Sequence, residues 1–216
     1  SYLPNPAAED DALYEKSILA IAEEYQRAVA IGAAYFVVHP GKSGGQDRES
    51  AMTKVARGVR EILKMVKGST LFLFENQAGA GTEVGGNLVQ LAQILDEINH
   101  PDRTGICFDT CHAFAAGYEL RTAEGINRLL TEVDTTVGLA RMPLLHLNDA
   151  IGECGSRLDR HTHIGQGRIG VEGFRRLLTE PRIAGLTGIL ETPQVTPEDD
   201  LRNLAVLRQL AAGGTR

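Results

Sequence analysis

Apolar positions along this chain fall into two kinds of run, and the two kinds alternate. The short runs are Tyr35-Phe36-Val37-Val38, Leu71-Phe72-Leu73-Phe74, Gly105-Ile106-Cys107-Phe108, Leu144-Leu145 and Gly188-Ile189-Leu190. Each is bounded by polar or glycine residues and is rich in branched or aromatic side chains, the pattern of buried parallel strands. Between them, apolar residues recur at helical spacing. One face gathers Ile18, Ile21, Tyr25, Ala28 and Val29 and stops at Gly32. A second carries Met52, Val55, Val59, Ile62 and Val66, and a third Leu88, Leu91, Leu95 and Ile98. A last helix is predicted to open at Thr196-Pro197-Glu198-Asp199, with threonine as N-cap and proline at the first helical position. Its apolar face is Leu201, Leu204, Val206 or Leu207, and Leu210. The alternation repeats about every 35 residues, the size of one βα unit, so the expected class is α/β with a parallel sheet.

The residues that end these runs carry the chemistry. The runs finish in turn at His39 (VVHPG), Glu75 (LFENQAGAG), Asp109 (CFDTCH), His146 (LLHLND) and Glu191 (ILETP). All five are metal-binding types. A strand-end histidine or aspartate taken singly is usually a loop cap or a surface residue, but five in succession form a pattern. Parallel strands closed into a barrel point their C-terminal ends to one face, where (β/α)8 enzymes keep their active sites. An open sheet would instead spread five strand ends along a line, so convergence favours the barrel. Two further clusters join the set. His112 follows Asp109 closely, and Asp159-Arg160-His161 places an acid and an imidazole two residues apart. In extended chain those two side chains share a face and can hold one ion. A mixed nitrogen and carboxylate donor set suits zinc or manganese better than magnesium or calcium. The remaining histidines, His100 and His163, are expected in surface or loop roles.

Length and charge narrow the class further. With 216 residues, one domain with a core of its own is expected. No apolar stretch is long enough for a membrane span, and the opening SYLPNPAAEDD lacks the regions of a secretory signal. The three cysteines, Cys107, Cys111 and Cys154, cannot form a closed disulfide framework, so a reducing, cytoplasmic setting is expected. A net charge of −6 argues against a protein that coats nucleic acid nonspecifically. It does not exclude a nuclease, because acidic residues that hold divalent cations are neutralised by them.

One motif points elsewhere. Gly165-Gln-Gly167-Arg-Ile-Gly170 has the spacing of a dinucleotide-binding turn, with Glu191 at a plausible distance beyond for a ribose contact. Such a turn should directly follow an apolar strand. Here Arg160-His161-Thr162-His163 precedes it, so a glycine-rich turn without a phosphate is the better reading.

The strings HPG, ENQAGAG, FDTCHAFAAGY, HLND, SRLDRHTHIGQGRIG and LETP together resemble the endonuclease IV family of abasic-site nucleases, in the family's order and along nearly the whole chain. The resemblance implies a (β/α)8 TIM barrel of the xylose-isomerase-like type, forming a single, partial barrel domain over residues 1–216. It also implies three zinc ions at the C-terminal face, with manganese as the alternative metal. Glu75 would bridge the first and second ions, and His39 would ligate the first. Asp109, His146 and Glu191 would complete the second, and His112, Asp159 and His161 would hold the third. Tyr2 and Leu3 resemble the segment that the family inserts into DNA at the lesion, and Arg160 would be a phosphate contact. About two βα units and a histidine ligand of the first zinc would precede Ser1, so the first site is expected to lack a ligand.

The implied activity is hydrolysis of the phosphodiester bond 5′ to an abasic site in double-stranded DNA, leaving a 3′-hydroxyl and a 5′ deoxyribose phosphate. Glu75 and Glu191 would orient the nucleophile. The chain would work as a monomer, away from membranes. Two rivals remain at this point. A xylose-isomerase-like sugar isomerase or epimerase also gathers carboxylates and histidines at barrel strand ends, but has no use for a third site at His112, Asp159 and His161. A metal- or DNA-binding chain without turnover is the other.

Overall fold

The computed structural model describes residues 4–213, arranged as two compact units that divide between Cys107 and Phe108. The first unit runs through α1 (Asp11–Ala30), β1 (Tyr35–Val38), α2 (Arg48–Met65), β2 (Leu71–Glu75), α3 (Leu88–Ile98) and into β3 (Thr104–Asp109). β1 pairs parallel to β2 with Tyr35 opposite Leu71, and β2 pairs parallel to β3 with Phe72 opposite Thr104. The expected strand–helix alternation is therefore present.

Helix starts in this unit are fixed by short polar side chains. Asp10, Asp47 and Asn87 each accept the backbone N–H three residues on, satisfying a donor that has no partner inside the helix. Met52, Val55, Val59, Ile62 and Val66 are all buried along α2, as are Leu88, Leu91, Leu95 and Ile98 along α3. On α1 the buried face is shifted. Tyr14, Ile18, Ile21 and Tyr25 go inside, while Ala28 and Val29 stay half-exposed. Tyr25 packs edge-on against Phe72, ring centres 5.4 Å apart. Its hydroxyl donates to the Thr70 carbonyl at 2.7 Å and accepts from Arg103 at 2.9 Å, so this buried phenol loses no hydrogen bond.

The second unit contains the end of β3, then α4 (Thr110–Ala116), α5 (Ala123–Thr136), β4 (Leu144–His146), β5 (Asp149–Ala150), β6 (His161–Thr162), α6 (Gly170–Leu178), β7 (Thr187–Ile189) and α7 (Asp199–Ala211). β4 pairs parallel to β7, with His146 opposite Ile189. The short strand β6 pairs antiparallel to β5. It forms a two-residue ribbon rather than another rung of a parallel sheet.

Three expectations are corrected here. β7 is exposed at all three positions, not buried. Helix α7 begins at Asp199 with Glu198 before it and no side-chain cap. Thr196 is not its N-cap, because the Asp199 carboxylate accepts the N–H groups of Val195 and Thr196 at 2.8 and 2.6 Å and holds those residues in a turn outside the helix. Leu201, expected on the apolar face, is 67% exposed and Asn203 is buried, whereas Leu207 and Leu210 turn inward as expected.

The glycine-rich turn has an internal occupant. The fully buried Asp149 accepts backbone N–H groups from Gly165 (2.9 Å), Gly167 (3.0 Å), Ile169 (3.0 Å) and Gly170 (3.3 Å). Gly165 and Gly170 take positive φ, 82° and 72°, where a side chain would be strained. A Cβ at Gly167 would stand 2.5 Å from both Asp149 Oδ1 and the Ala150 carbonyl. The spacing that imitates a phosphate-binding loop does make an anion cradle, and the chain's own carboxylate fills it.

Candidate metal centre

In the first unit, His39 lies one residue beyond β1 and Glu75 closes β2. Their Nε2 and Oε2 atoms are 3.3 Å apart. Glu75 is buried and His39 half-exposed. The parallel register sets two neighbouring strand ends level, and that alone brings the pair together.

Two groups in the second unit gather the expected ligands. Asp109, His146 and Glu191 present donor atoms within 4.8 Å of one another, with His146 Nδ1 3.1 Å from Glu191 Oε2. Asp109 ends β3 and His146 ends β4, both buried, while Glu191 lies two residues past β7 and is exposed. The two acids would repel one another without a mediator, and Asn148 supplies one. Its Nδ2 donates to Asp109 Oδ2 at 2.5 Å and reaches Glu191 Oε2 at 3.5 Å, while its Oδ1 accepts the Glu191 backbone N–H at 2.8 Å. Asn148 is itself fully buried.

The other group is His112, Asp159 and His161. Asp109 caps α4 through the His112 N–H at 2.7 Å, which sets His112 on the first turn of that helix. The segment between β5 and β6 is tied to the other end of α4. Gly155 donates to the Phe114 carbonyl and Arg157 to the Ala115 carbonyl, both at 2.9 Å, so carbonyls left over at the helix terminus gain partners. The Cys111 thiol adds a contact at 3.6 Å to the Arg160 carbonyl. Asp159 is thereby delivered to the helix that carries His112. Asp159 Oδ1 stands 3.2 Å from His112 Nε2 and 3.3 Å from His161 Nε2, and the two Nε2 atoms are 3.4 Å apart.

His161 Nδ1 faces the Glu191 carbonyl at 3.1 Å. A carbonyl can only accept, so Nδ1 carries a proton and Nε2 is left to face Asp159. Asp159 is held far below the usual carboxylate range, first by the hydrogen bond from His112 and then by that from His161. For His161, burial is the largest influence and pulls the imidazole down. The hydrogen bonds with Asp159 and Cys111, the charge of Asp109 and the Glu191 carbonyl outweigh it and push the ring up to about 11. The same surroundings that favour a proton at this nitrogen favour any cation there.

Three donor atoms on a triangle with edges of 3.2, 3.3 and 3.4 Å match one face of a zinc tetrahedron. Bonds of about 2.0–2.1 Å at tetrahedral angles separate neighbouring ligands by about 3.3 Å. The residues present therefore fit a divalent metal, with imidazole nitrogen and carboxylate oxygen as its donors.

Arg160 is exposed beside this group, its guanidinium 3.4 Å from the Asp159 carbonyl. Tyr2 and Leu3, expected to contact DNA, lie outside the described residues. His100 is exposed as expected. His163 is half-buried and hydrogen-bonded to Asn203 at 3.1 Å.

Residues 1–210 match the family described as xylose isomerase-like TIM barrel. Over 211 residues the chain is 44% identical to a protein of Methanoculleus marisnigri named Probable endonuclease 4, covering 97% of this chain and 75% of the relative. The chain belongs to the endonuclease IV family. The crystal structure of endonuclease IV from Thermus thermophilus aligns with a TM-score of 0.86 at 39% identity, over 99% of this chain and 74% of that one. A D-tagatose 3-epimerase-like protein aligns with a TM-score of 0.75 at 20% identity, over 98% of this chain and 74% of that one, a likeness of fold alone. The chain thus spans about three-quarters of the length of its endonuclease IV relatives.

Within this endonuclease IV chain, sequence reasoning passes over Asn148 although it lies inside the HLND string. A signal is available, since Asn148 stands two residues beyond His146 and alternation in extended chain places such residues on one face. The Asp149 cradle has no comparable signal, because its partners are backbone groups supplied by a remote loop.

Proposed function

We propose that the chain is a zinc-dependent endonuclease that hydrolyses the phosphodiester bond 5′ to an abasic site in double-stranded DNA. The observation that carries this reading is the triangle of His112 Nε2, Asp159 Oδ1 and His161 Nε2. A sugar isomerase or epimerase of the same barrel class has no role for that set, whereas phosphoryl transfer gains from charge offset on both the attacking and the leaving oxygen. The 44% identity to proteins named endonuclease 4 supports the same reading.

His39 and Glu75 are metal ligands in this proposal, as are Asp109, His146 and Glu191 together and His112, Asp159 and His161 together. When bound, zinc supplies Lewis acidity: it makes a water acidic near neutral pH and offsets charge on phosphoryl oxygens. The rest falls to the protein. The exposed Glu191 carboxylate, whose backbone N–H is held by Asn148, orients the attacking water toward phosphorus. Glu75, buried beside His39, is the second acid that orients the nucleophile. Arg160 holds a phosphate beside the scissile bond, a bidentate partner for which guanidinium is well shaped. Abasic selectivity follows from the cost of extrusion, since a nucleotide without a base has no stacking or pairing to lose. Tyr2 and Leu3 would fill the vacated space as apolar wedges. The chain acts as a monomeric single domain in the cytoplasm. Among the described residues, no helix is long and apolar enough to cross a membrane.

The test is incision of a duplex bearing one abasic analogue by zinc-loaded protein, with the product ends identified on a sequencing gel. Cleavage 5′ to the lesion leaving a 3′-hydroxyl, abolished by chelation and absent on intact duplex, is the expected result. A zinc-loaded protein that leaves the lesion strand intact would sink the proposal.

A further inference from the structure

Asn203 on α7 is buried and bonds its own helix and two other stretches of chain. Its Oδ1 accepts the Ile164 backbone N–H at 2.9 Å, and that fixes the amide orientation without ambiguity, since an N–H can only donate. Its Nδ2 then faces Thr192 Oγ1 at 2.9 Å, the Asp199 carbonyl at 3.0 Å and His163 Nδ1 at 3.1 Å. Two of these stretches abut candidate ligands directly. Thr192 follows Glu191 in sequence. His163 and Ile164 follow β6, which begins at His161.

We propose that Asn203 is a positioning residue for the metal centre, holding the Glu191 and His161 segments at a fixed separation. The inference rests on the reading of those two residues as zinc ligands. The segments meet directly through the hydrogen bond from His161 Nδ1 to the Glu191 carbonyl at 3.1 Å. One such bond lets the imidazole swing about it. The Asn203 amide adds a second tie from α7, so that the segments are joined at two points and lose that freedom. His161 Nε2 and the Glu191 carboxylate are thereby set before any ion arrives, which is how partners outside the ligand set raise metal affinity. The amide bonds the residues beside the ligands rather than the ligating atoms, so its effect reaches the metal through the neighbouring backbone.

The experiment measures zinc affinity by competition with a chromogenic chelator, on the stripped and reloaded full chain, for wild type, Asn203→Ala and Asn203→Asp. Thermal unfolding of the stripped proteins is recorded in parallel. The expected result is a roughly 10–100-fold loss of zinc affinity, the range typical of such outer partners, in both variants. Asn203→Asp keeps the acceptor for Ile164 and loses the donors, so it decides the matter should the alanine variant fail to fold. The proposal is overturned if either folded variant binds zinc as wild type does, with only its unfolding temperature lowered, for that would be a purely structural role. A wild-type chain that binds no zinc would instead remove the reading on which the inference rests.

Discussion

Asp149 Oδ2 accepts the Gly167 backbone N–H at 3.0 Å, at a point where a Cβ on Gly167 would stand 2.5 Å from the other carboxylate oxygen. Carboxylate and turn are therefore mutually required, one for its charge and the other for its lack of a side chain. Asp149→Ala strips the partner from four backbone N–H groups of the turn at once, each hydrogen bond to a charged group contributing about 1.5–3 kcal/mol. A loss of at least about 3 kcal/mol in urea unfolding is expected. Gly167→Ala, by overpacking, should cost about 1–3 kcal/mol. Midpoints equal to wild type for both would contradict the structural account.

His112 and His161 share Asp159, so their loss should not add. His112→Gln and His161→Gln are each expected to lower zinc content by one ion per chain, and the double variant should lose that same ion and no more. Turnover on abasic duplex should fall about 100-fold or more in all three, the scale of several kcal/mol of charge stabilisation. Elemental analysis of folded protein checks the first statement. Separate losses that sum in the double variant would mean the histidines serve different ions.

Asp199 gives a pH signature through its own carboxyl. The Thr196 backbone N–H, followed by the Arg202 guanidinium and the Val195 N–H, holds its carboxyl at about 2, below the ordinary 3.8. A pKa depressed in the folded state contributes stability that is complete above 3.8 and vanishes as pH falls through about 2. Asp199→Asn should therefore be less stable than wild type at neutral pH by a constant margin. That margin should shrink below about pH 4 and close near pH 2. Amide exchange in the first turn of α7 would report it locally, and a pH-independent margin would refute it.

How much of this was legible in the sequence depends on how local the cause is. The five strand-ending ligand types were readable because an apolar run bounded by polar residues announces both a strand and its end. Asp159 and His161 were readable from their spacing. Thr196 misled because residues 195–199 carry a helix-start pattern, but the Asp199 carboxylate captures the N–H groups of Val195 and Thr196. The helix then starts later, while Leu207 and Leu210 meet the core as expected and Asn203 joins them where Leu201 does not. The exposure of β7 was equally hidden, since Gly188-Ile189-Leu190 reads like its buried counterparts. Asn203 carries no charge and stands among no ligand-type residues in sequence, and only the folded chain shows what it bridges.

Asp109 combines two tasks in one side chain. Oδ1 starts helix α4 by accepting the His112 N–H, and Oδ2 is gripped by Asn148. A designer seeking to retune this protein for another cation could lengthen or swap most of its acidic groups and look for compensation nearby. At position 109 the extra methylene of glutamate would unhook one oxygen or the other, shifting the helix that carries His112 in the same stroke. Engineering meets a fixed point there, because altering the carboxylate of one proposed ligand group also moves the helix that carries a member of the other.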